Sequence, residues 1–286
     1  MYEAFYGFRE KPFHVTADPA FLYLSRQHQE AMDHLSYGLQ QRLGFLMITG
    51  EVGTGKTTVA RALVDKLAGI IHTALILNPA LSGTQLLQAI AKDFGILPDP
   101  KTRRLPTNRG ELIGLIENFL LKQAAAGSYC VLIIDEAQAL SLQALEQVRL
   151  LSTVETTKAK LLQIILVGQP ELIERLERNY RLRALKDRIA VKYHMQPLTE
   201  EETGAYINHR LRVASAERQI PRFTEGAISK IASLSNGIPR RINRICDNAL
   251  LAGFVHEAFT IDEKLVEEGH MNRVHDTDTV PYFTNT

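Results

Sequence analysis

Gly50-Glu51-Val52-Gly53-Thr54-Gly55-Lys56-Thr57 is the stretch on which the reading of this chain turns. It fits G-x-x-x-x-G-K-[ST], the pattern of a phosphate-binding loop. Glycines at these places let successive backbone N–H groups turn inward as an anion-binding nest, where a Cβ would block the dihedrals required. Lys56 is placed to reach the outer phosphates of a nucleotide, and the Thr57 hydroxyl to hold Mg2+. Upstream, Phe45-Leu46-Met47-Ile48-Thr49 reads as a short buried strand. Downstream, Thr57-Thr58-Val59-Ala60-Arg61-Ala62-Leu63-Val64 opens a helix. Thr58 is grouped with the loop as a nucleotide-binding residue, and the helix N-terminus adds partial positive charge under the phosphates.

A second group of reactive side chains follows the same plan. Tyr129-Cys130-Val131-Leu132-Ile133-Ile134 is an apolar strand that ends on Asp135-Glu136. Two carboxylates at the C-terminal tip of a buried strand suit a site that holds Mg2+ and activates water. Asp135 would hold the ion, mostly through its waters, and Glu136 would polarise the water that attacks a γ-phosphate. Leu161-Leu162-Gln163-Ile164-Ile165-Leu166-Val167 is a further strand, ending in Gly168-Gln169-Pro170. If it lies between the other two, Gln169 sits beside the γ-phosphate. The other reading is that the Gln169 amide caps the next helix. Arg175, Arg178, Arg181, Arg183 and Arg188 precede a last strand, Ile189 to His194. Most such arginines face water. One can stabilise charge on a nucleotide held by the next subunit, and its place beside the strand favours Arg188.

Composition sets the frame. The chain has 286 residues, 45% of them hydrophobic, enough for one large domain or two smaller ones. The formal net charge is +1, so the total does not imply strong non-specific nucleic-acid binding. Cys130 and Cys246 stand far apart in apolar surroundings and read as buried thiols rather than a disulfide or metal site. The N-terminus lacks the basic and apolar regions of a signal peptide. No apolar run approaches the ~20 residues of a membrane span. The expected location is cytoplasmic.

Around the two motif groups the chain divides by pattern. Residues 1–40 carry Phe5, Tyr6, Phe8, Phe13, Phe21 and Tyr23 and read as an aromatic-rich segment packing on the core, closed by a helix from Gln27 to Leu43. Most of these rings suit core packing, though one beside the nucleotide site can stack on adenine. Ile70 to Leu77 reads as another buried strand. Leu86, Leu87, Ile90, Ala91 and Phe94 form a helical stripe. Pro98, Pro100 and Pro106 with Lys101, Arg103 and Arg104 mark a loop, either a surface connector or a basic patch. Asn108 with Glu111 is placed to cap the next helix. Beyond Pro197 strands stop and helices continue to about residue 270. Thr199 with Glu202 forms a capping-box signature, and Thr260 with Glu263 a candidate cap. Asn236-Gly237-Ile238-Pro239 is a turn. Arg240 and Arg241 begin the helix after it, where an arginine can fold back over the phosphates.

In order and kind, Gly50 to Thr57, Val131 to Glu136, Gly168-Gln169-Pro170-Glu171-Leu172, Asp187-Arg188-Ile189 and Gly237-Ile238-Pro239-Arg240-Arg241-Ile242-Asn243 resemble the motifs of an AAA+ ATPase. Tyr2 to Phe13, Asp18-Pro19 and Phe21-Leu22-Tyr23-Leu24-Ser25 resemble the opening of the ExeA/GspA family, which is associated with type II secretion and includes relatives in pilus biogenesis and exosortase loci. The resemblance implies an α/β P-loop NTPase: a parallel sheet flanked by helices over 41–195, a small helical lid over 196–270 and a polar tail over 271–286. It implies Lys56 and Thr57 on phosphate and Mg2+, Asp135 and Glu136 as the Walker B pair, Gln169 as sensor 1, Arg188 as the trans-acting finger and Arg240 as sensor 2. Sensor 1 is more often Asn, Thr or Ser, so Gln169 departs from the usual pattern.

The function so implied is ATP hydrolysis by an oligomer, a ring or filament, in support of assembly of a secretion or surface-appendage apparatus. Partners would be components of that apparatus, with attachment to the inner face of the inner membrane through them or through a C-terminal part. ExeA-type proteins carry a membrane span and a peptidoglycan-binding domain after the ATPase. Neither is read in this sequence, so it is expected to be a short relative or a cytoplasmic fragment. The alternative is a DNA-binding AAA+ regulator of transposition, with the basic loop Lys101 to Arg104 facing the duplex.

Overall fold

The computed structural model describes residues 1–14, 19–97, 106–155, 160–216 and 220–277. The chain folds as two units, Arg26–Gln196 and, drawn from both ends, Met1–Ser25 with the chain from Pro197 onward. A short helix, α1 (Tyr2–Phe5), belongs to the latter.

The α/β unit runs α2 (Arg26–Gln40), β1 (Phe45–Gly50), α3 (Lys56–Leu67), β2 (His72–Ile76), α4 (Gly83–Asp93), α5 (Arg109–Ala125), β3 (Cys130–Ile134), α6 (Leu142–Leu151), β4 (Leu162–Gly168), α7 (Pro170–Arg178), α8 (Arg183–Lys186) and β5 (Ile189–Met195). The strands form one sheet in the order β2-β3-β4-β1-β5, every pair parallel. The three inner strands are buried at every residue, as their apolar runs, interrupted by Thr49 and Gln163, require of a sheet covered on both faces. Edge strand β5 alternates instead, its middle residues partly or fully exposed.

Side chains part to the two faces with period two. Met47, Leu132, Ile134, Ile164 and Leu166 pack with Leu86, Ile90, Leu112, Leu145 and Leu172 from the helices on one side. Leu46, Ile48, Val131, Ile133, Ile165 and Val167 pack with Ala31 and Leu35 of α2 and Val59 and Leu63 of α3 on the other. Each such Leu or Ile contributes about 1.5–3 kcal/mol on burial, so β1 and α3, which carry the ends of the loop between them, are firmly anchored. β4 lies between β1 and β3, with Phe45 opposite Ile164 and Leu132 also opposite Ile164. This is the arrangement that was needed to bring Gln169 between the other two tips. In α5 Asn108 accepts from the Gly110 N–H, and in α4 a full capping box joins Ser82 and Gln85.

The other unit contains α9 (Glu200–Ala214), β6 (Arg222–Phe223), α10 (Glu225–Ser235), α11 (Pro239–Val255), β7 (Thr260–Ile261) and α12 (Glu263–Thr277). Thr199 and Glu202 form the capping box their spacing predicts. Several expectations need correction. Strands do not end at residue 196: β6 and β7 pair in parallel, each too short to show a pattern. α12 continues through Thr277, so the segment from 271 is not tail from its start. Asp262, not Thr260, caps α12, its Oδ1 accepting from Leu265 N at 3.0 Å.

The segment 1–40 also divides. α2 covers the sheet, whereas Tyr2, Tyr6, Phe8, Phe13 and Phe21 are buried with Ile207, Leu211, Ile245 and Leu250 of the helical unit. Polar contacts fix them there. Tyr6 donates to Ala258 O at 3.0 Å, and the Arg210 guanidinium, 6% exposed, donates to Pro12 O at 2.6 Å and His14 O at 3.0 Å. The same guanidinium lies 4.9 Å from the centroid of the Phe21 ring. The basic loop Lys101 to Arg104 lies outside the described residues. Both cysteines are buried and free. Among the described residues no helix is long and apolar enough to cross a membrane.

Candidate active site

The loop Gly50 to Thr57 joins β1 to α3 at the C-terminal edge of the sheet, where ligands of open α/β sheets sit. Gly55 caps α3 with φ +98°, a left-handed conformation that glycine adopts without cost. Its missing side chain has a second use, because a Cβ there would lie 2.3 Å from His28 Nε2. His28 comes from α2 and is buried; nothing in the sequence singles it out. Thr54 donates to Glu51 O at 2.9 Å and closes the turn, while Glu51 and Val52 face outward. Thr58 stands in the first turn of α3.

Lys56 is only 5% exposed, and its ammonium donates to Gly50 O and Glu51 O, each at 2.8 Å. The Thr57 hydroxyl donates to Asp135 Oδ2 at 2.5 Å. Asp135 Oδ1 accepts from the Glu136 N–H at 2.8 Å. Burial raises the Asp135 carboxyl above its ordinary pKa, opposed by the hydrogen bonds from Thr57 and from the Glu136 amide. An ammonium, a hydroxyl and a carboxylate meet at one strand edge, with hard oxygen donors of the kind Mg2+ takes. This donor set fits a nucleotide phosphate chain with its metal.

One residue on, Glu136 is held at φ +51°, ψ +37°. Its Oε2 accepts from Gln138 Nε2 and, at 3.0 Å, from Gln169 Nε2. Gln169 is the N-cap residue of α7, yet its side chain makes no capping bond. The capping reading of Gln169 is therefore not realised, and its amide meets the Glu136 carboxylate instead. Gln138 was not singled out by sequence, although its place two residues after Glu136 was there to be read.

Lys56, Thr57, Asp135, Glu136 and Gln169 thus gather at the tips of β1, β3 and β4. Arg188 does not join them. Ile189 pairs with Phe45, whereas Gly50 pairs with Met195, so Arg188 lies at the opposite edge, about 17 Å from the loop at ~3.3 Å per residue. There it donates to Ser152 Oγ at 2.9 Å. Arg240 belongs to the helical unit and is exposed in the first turn of α11.

Residues 40–176 match a family model described as AAA domain. The chain is 46% identical over 261 residues to General secretion pathway protein A of Aeromonas hydrophila, an alignment covering 91% of this chain. The chain spans 46% of that relative's length. Among solved structures it resembles the Aeropyrum pernix ORC2 protein, with a TM-score of 0.67 at 15% identity over 96% of this chain and 76% of that one. It also resembles Cdc6p from Pyrobaculum aerophilum, with a TM-score of 0.68 at 17% identity over 93% and 75%. At such identity these two speak for the fold alone. The chain is an AAA+ P-loop protein of the ExeA/GspA family.

Proposed function

We propose that this chain binds ATP with Mg2+, hydrolyses it, and self-associates into a ring or filament that supports assembly of a secretion or surface-appendage apparatus. The observation that carries the enzymatic part is the 2.5 Å contact between Thr57 and Asp135, with Glu136 and Gln169 joined beside it. The secretion part rests on the relative named General secretion pathway protein A.

Each residue has a definite task. The amides of Glu51 to Thr58 receive phosphate oxygens, and Lys56 exchanges its two carbonyl partners for the outer phosphates. Thr57 and Asp135 hold the metal, which supplies positive charge against the developing charge on the phosphates. Glu136 accepts a hydrogen bond from the attacking water and orients it, and Gln169 donates its amide toward the same place. Arg188 completes the site of a neighbouring subunit, since its own strand keeps it from the loop of its own chain. Arg240 takes the sensor 2 role that the family resemblance implies.

The test is ATP turnover by the purified chain with Mg2+, beside Glu136→Gln. The wild type is expected to release phosphate. Glu136→Gln is expected to retain ATP and lose turnover, because a neutral amide polarises water poorly. A wild type that does not bind ATP sinks the proposal, and a Glu136→Gln variant of normal rate removes Glu136 from its role.

A further inference from the structure

The side-chain amide of Gln138 is divided between two strand tips. Its Nε2 donates to Glu136 Oε2, at the end of β3, and its Oε1 accepts from the Gln169 N–H at 3.0 Å, at the end of β4. Glu136 and Gln169 also touch directly through Oε2 and Nε2. The three residues therefore close a small ring of hydrogen bonds. Its geometry is fixed from outside. The turn Ala137–Ala139 is closed by Ala139 N donating to Glu136 O at 2.8 Å. Arg175 of α7 donates to Gln138 O and, at 2.8 Å, to Leu140 O. Gly168 leaves room for both Leu172 and the amide, since a Cβ there would stand 2.9 Å from Leu172 Cδ2 and 3.1 Å from Gln138 Oε1.

Fold stability alone does not require this arrangement. Gln138 is only half-buried, and the Gln169 N–H, at the start of α7, lies among the first amides of a helix, which water or a cap can satisfy. The donor end of the amide is spent on the carboxylate that must orient water. Both amide donors on Glu136 fall on one oxygen, Oε2, which leaves Oε1 for the water.

We propose that Gln138 is a positioning residue for hydrolysis: it locks the Glu136 carboxylate with Oε1 presented to the attacking water, and ties that carboxylate to Gln169 so that the two respond together when the γ-phosphate is present. This rests on the ATPase reading above. Without such a lock Glu136 is free about three side-chain torsions, the last of which turns the carboxylate, and a misplacement of ~1 Å in a reacting group costs on the order of 10²-fold in rate.

The experiment compares wild type, Gln138→Met and Gln138→Glu by steady-state ATP turnover, ATP binding at equilibrium and thermal melting. Gln138→Met keeps length and volume but has no amide. Gln138→Glu keeps the acceptor for Gln169 N–H and loses the donor to Glu136. Both are expected to lower kcat by about 10²-fold while ATP affinity and Tm stay at the wild-type values. A Gln138→Met variant of wild-type kcat overturns the inference. So does a loss of affinity and Tm in step with kcat, or a normal Gln138→Glu, each of which assigns the amide to holding α7. A wild type that binds ATP without turning it over fails differently: it removes the ATPase reading, and this inference with it.

Discussion

Thr57 and Asp135 are 78 residues apart in sequence, yet the hydroxyl of the first donates to Oδ2 of the second at 2.5 Å. Thr57 opens α3 after β1 and Asp135 follows β3, and β4 stands between those two strands, so the contact spans the tip of an intervening strand. Both side chains offer oxygen to the same point, and Asp135 is 3% exposed. A cation beside a buried carboxylate that holds a hydroxyl and a backbone amide offsets the cost of burying its charge.

The first expectation follows from that pairing. Asp135→Asn keeps the shape and removes the charge. A charge-assisted interaction is worth about 1.5–3 kcal/mol, so Mg2+-dependent ATP affinity should fall roughly ten- to a hundredfold. Chelating the metal with EDTA should weaken ATP binding by the wild type and leave the variant's weaker binding unchanged. Equal sensitivity of the two proteins to EDTA would remove Asp135 from the metal.

Gly55 and His28 compete for one volume. Gly55→Ala places a Cβ where His28 Nε2 stands, at a φ of +98° that costs an L residue about 1–2 kcal/mol even in open space. His28→Ala should therefore restore part, not all, of the ATP affinity and melting temperature that Gly55→Ala loses. A double-mutant cycle measures this directly. Strictly additive effects would show that the loop and α2 do not press on each other.

What could be read without coordinates follows from periodicity and motif. β1, β3 and β4 are apolar but for Thr49 and Gln163, and each leads into residues of recognisable chemistry, so Lys56, Thr57, Asp135, Glu136 and Gln169 could be named from sequence. The allegiance of the aromatic residues was not. A ring such as Tyr6 or Phe13 signals burial but not which surface buries it, and the divide at Ser25 depends on contacts with residues nearly 200 positions away, such as Arg210 with Pro12, |i−j| 198. His28 and Gln138 escaped for another reason. Their roles come from touching a motif residue, and neither has a pattern of its own. β6 and β7, of two residues each, are shorter than any alternation can reveal.

Arg210 gives the third expectation. Its guanidinium serves two main-chain carbonyls of the N-terminal segment and the hydroxyl of Tyr206, 3.1 Å away, which itself donates to Asn243 at 2.7 Å. Arg210→Met fills similar space and leaves these acceptors unpaired, at about 1–3 kcal/mol for each that stays dry. The variant should melt at a lower temperature, and protease should cut first within the N-terminal segment. An unchanged Tm and cutting pattern would mean that the rings alone hold the segment.

His209, beside it, ties stability to acidity. Burial, then the nearby charges of Arg210 and Arg212, hold its pKa below the ordinary histidine value of about 6.5. Its Nε2 is buried without a hydrogen-bond partner. The unfolded chain accepts a proton at a pH where the folded one does not, so stability is lost as pH falls below the ordinary value. His209→Gln cannot titrate. Its Tm should decline less than that of the wild type between about pH 7 and pH 5, and parallel declines would assign the acid sensitivity elsewhere.

The fifth expectation concerns Arg188, which the parallel register of β1 and β5 sets at the far edge from its own phosphate loop. On the proposal above it acts on another copy. An arginine supplied across an interface is worth about 10³–10⁵-fold in phosphoryl transfer. Arg188→Ala should therefore hydrolyse ATP far more slowly than wild type under conditions of assembly. Part of any loss can be local, because the guanidinium also donates to Ser152 Oγ. Ser152→Ala controls for that contact and should keep the wild-type rate. Mixing gives the decisive readout. Arg188→Ala retains an intact loop and acids, whereas Glu136→Gln retains the arginine. Where the two sit side by side in one oligomer, a complete site forms from two incomplete subunits. Turnover in the mixture should exceed the sum of the separate rates and vanish on dilution. A mixture no faster than its parts would remove the trans-acting role of Arg188.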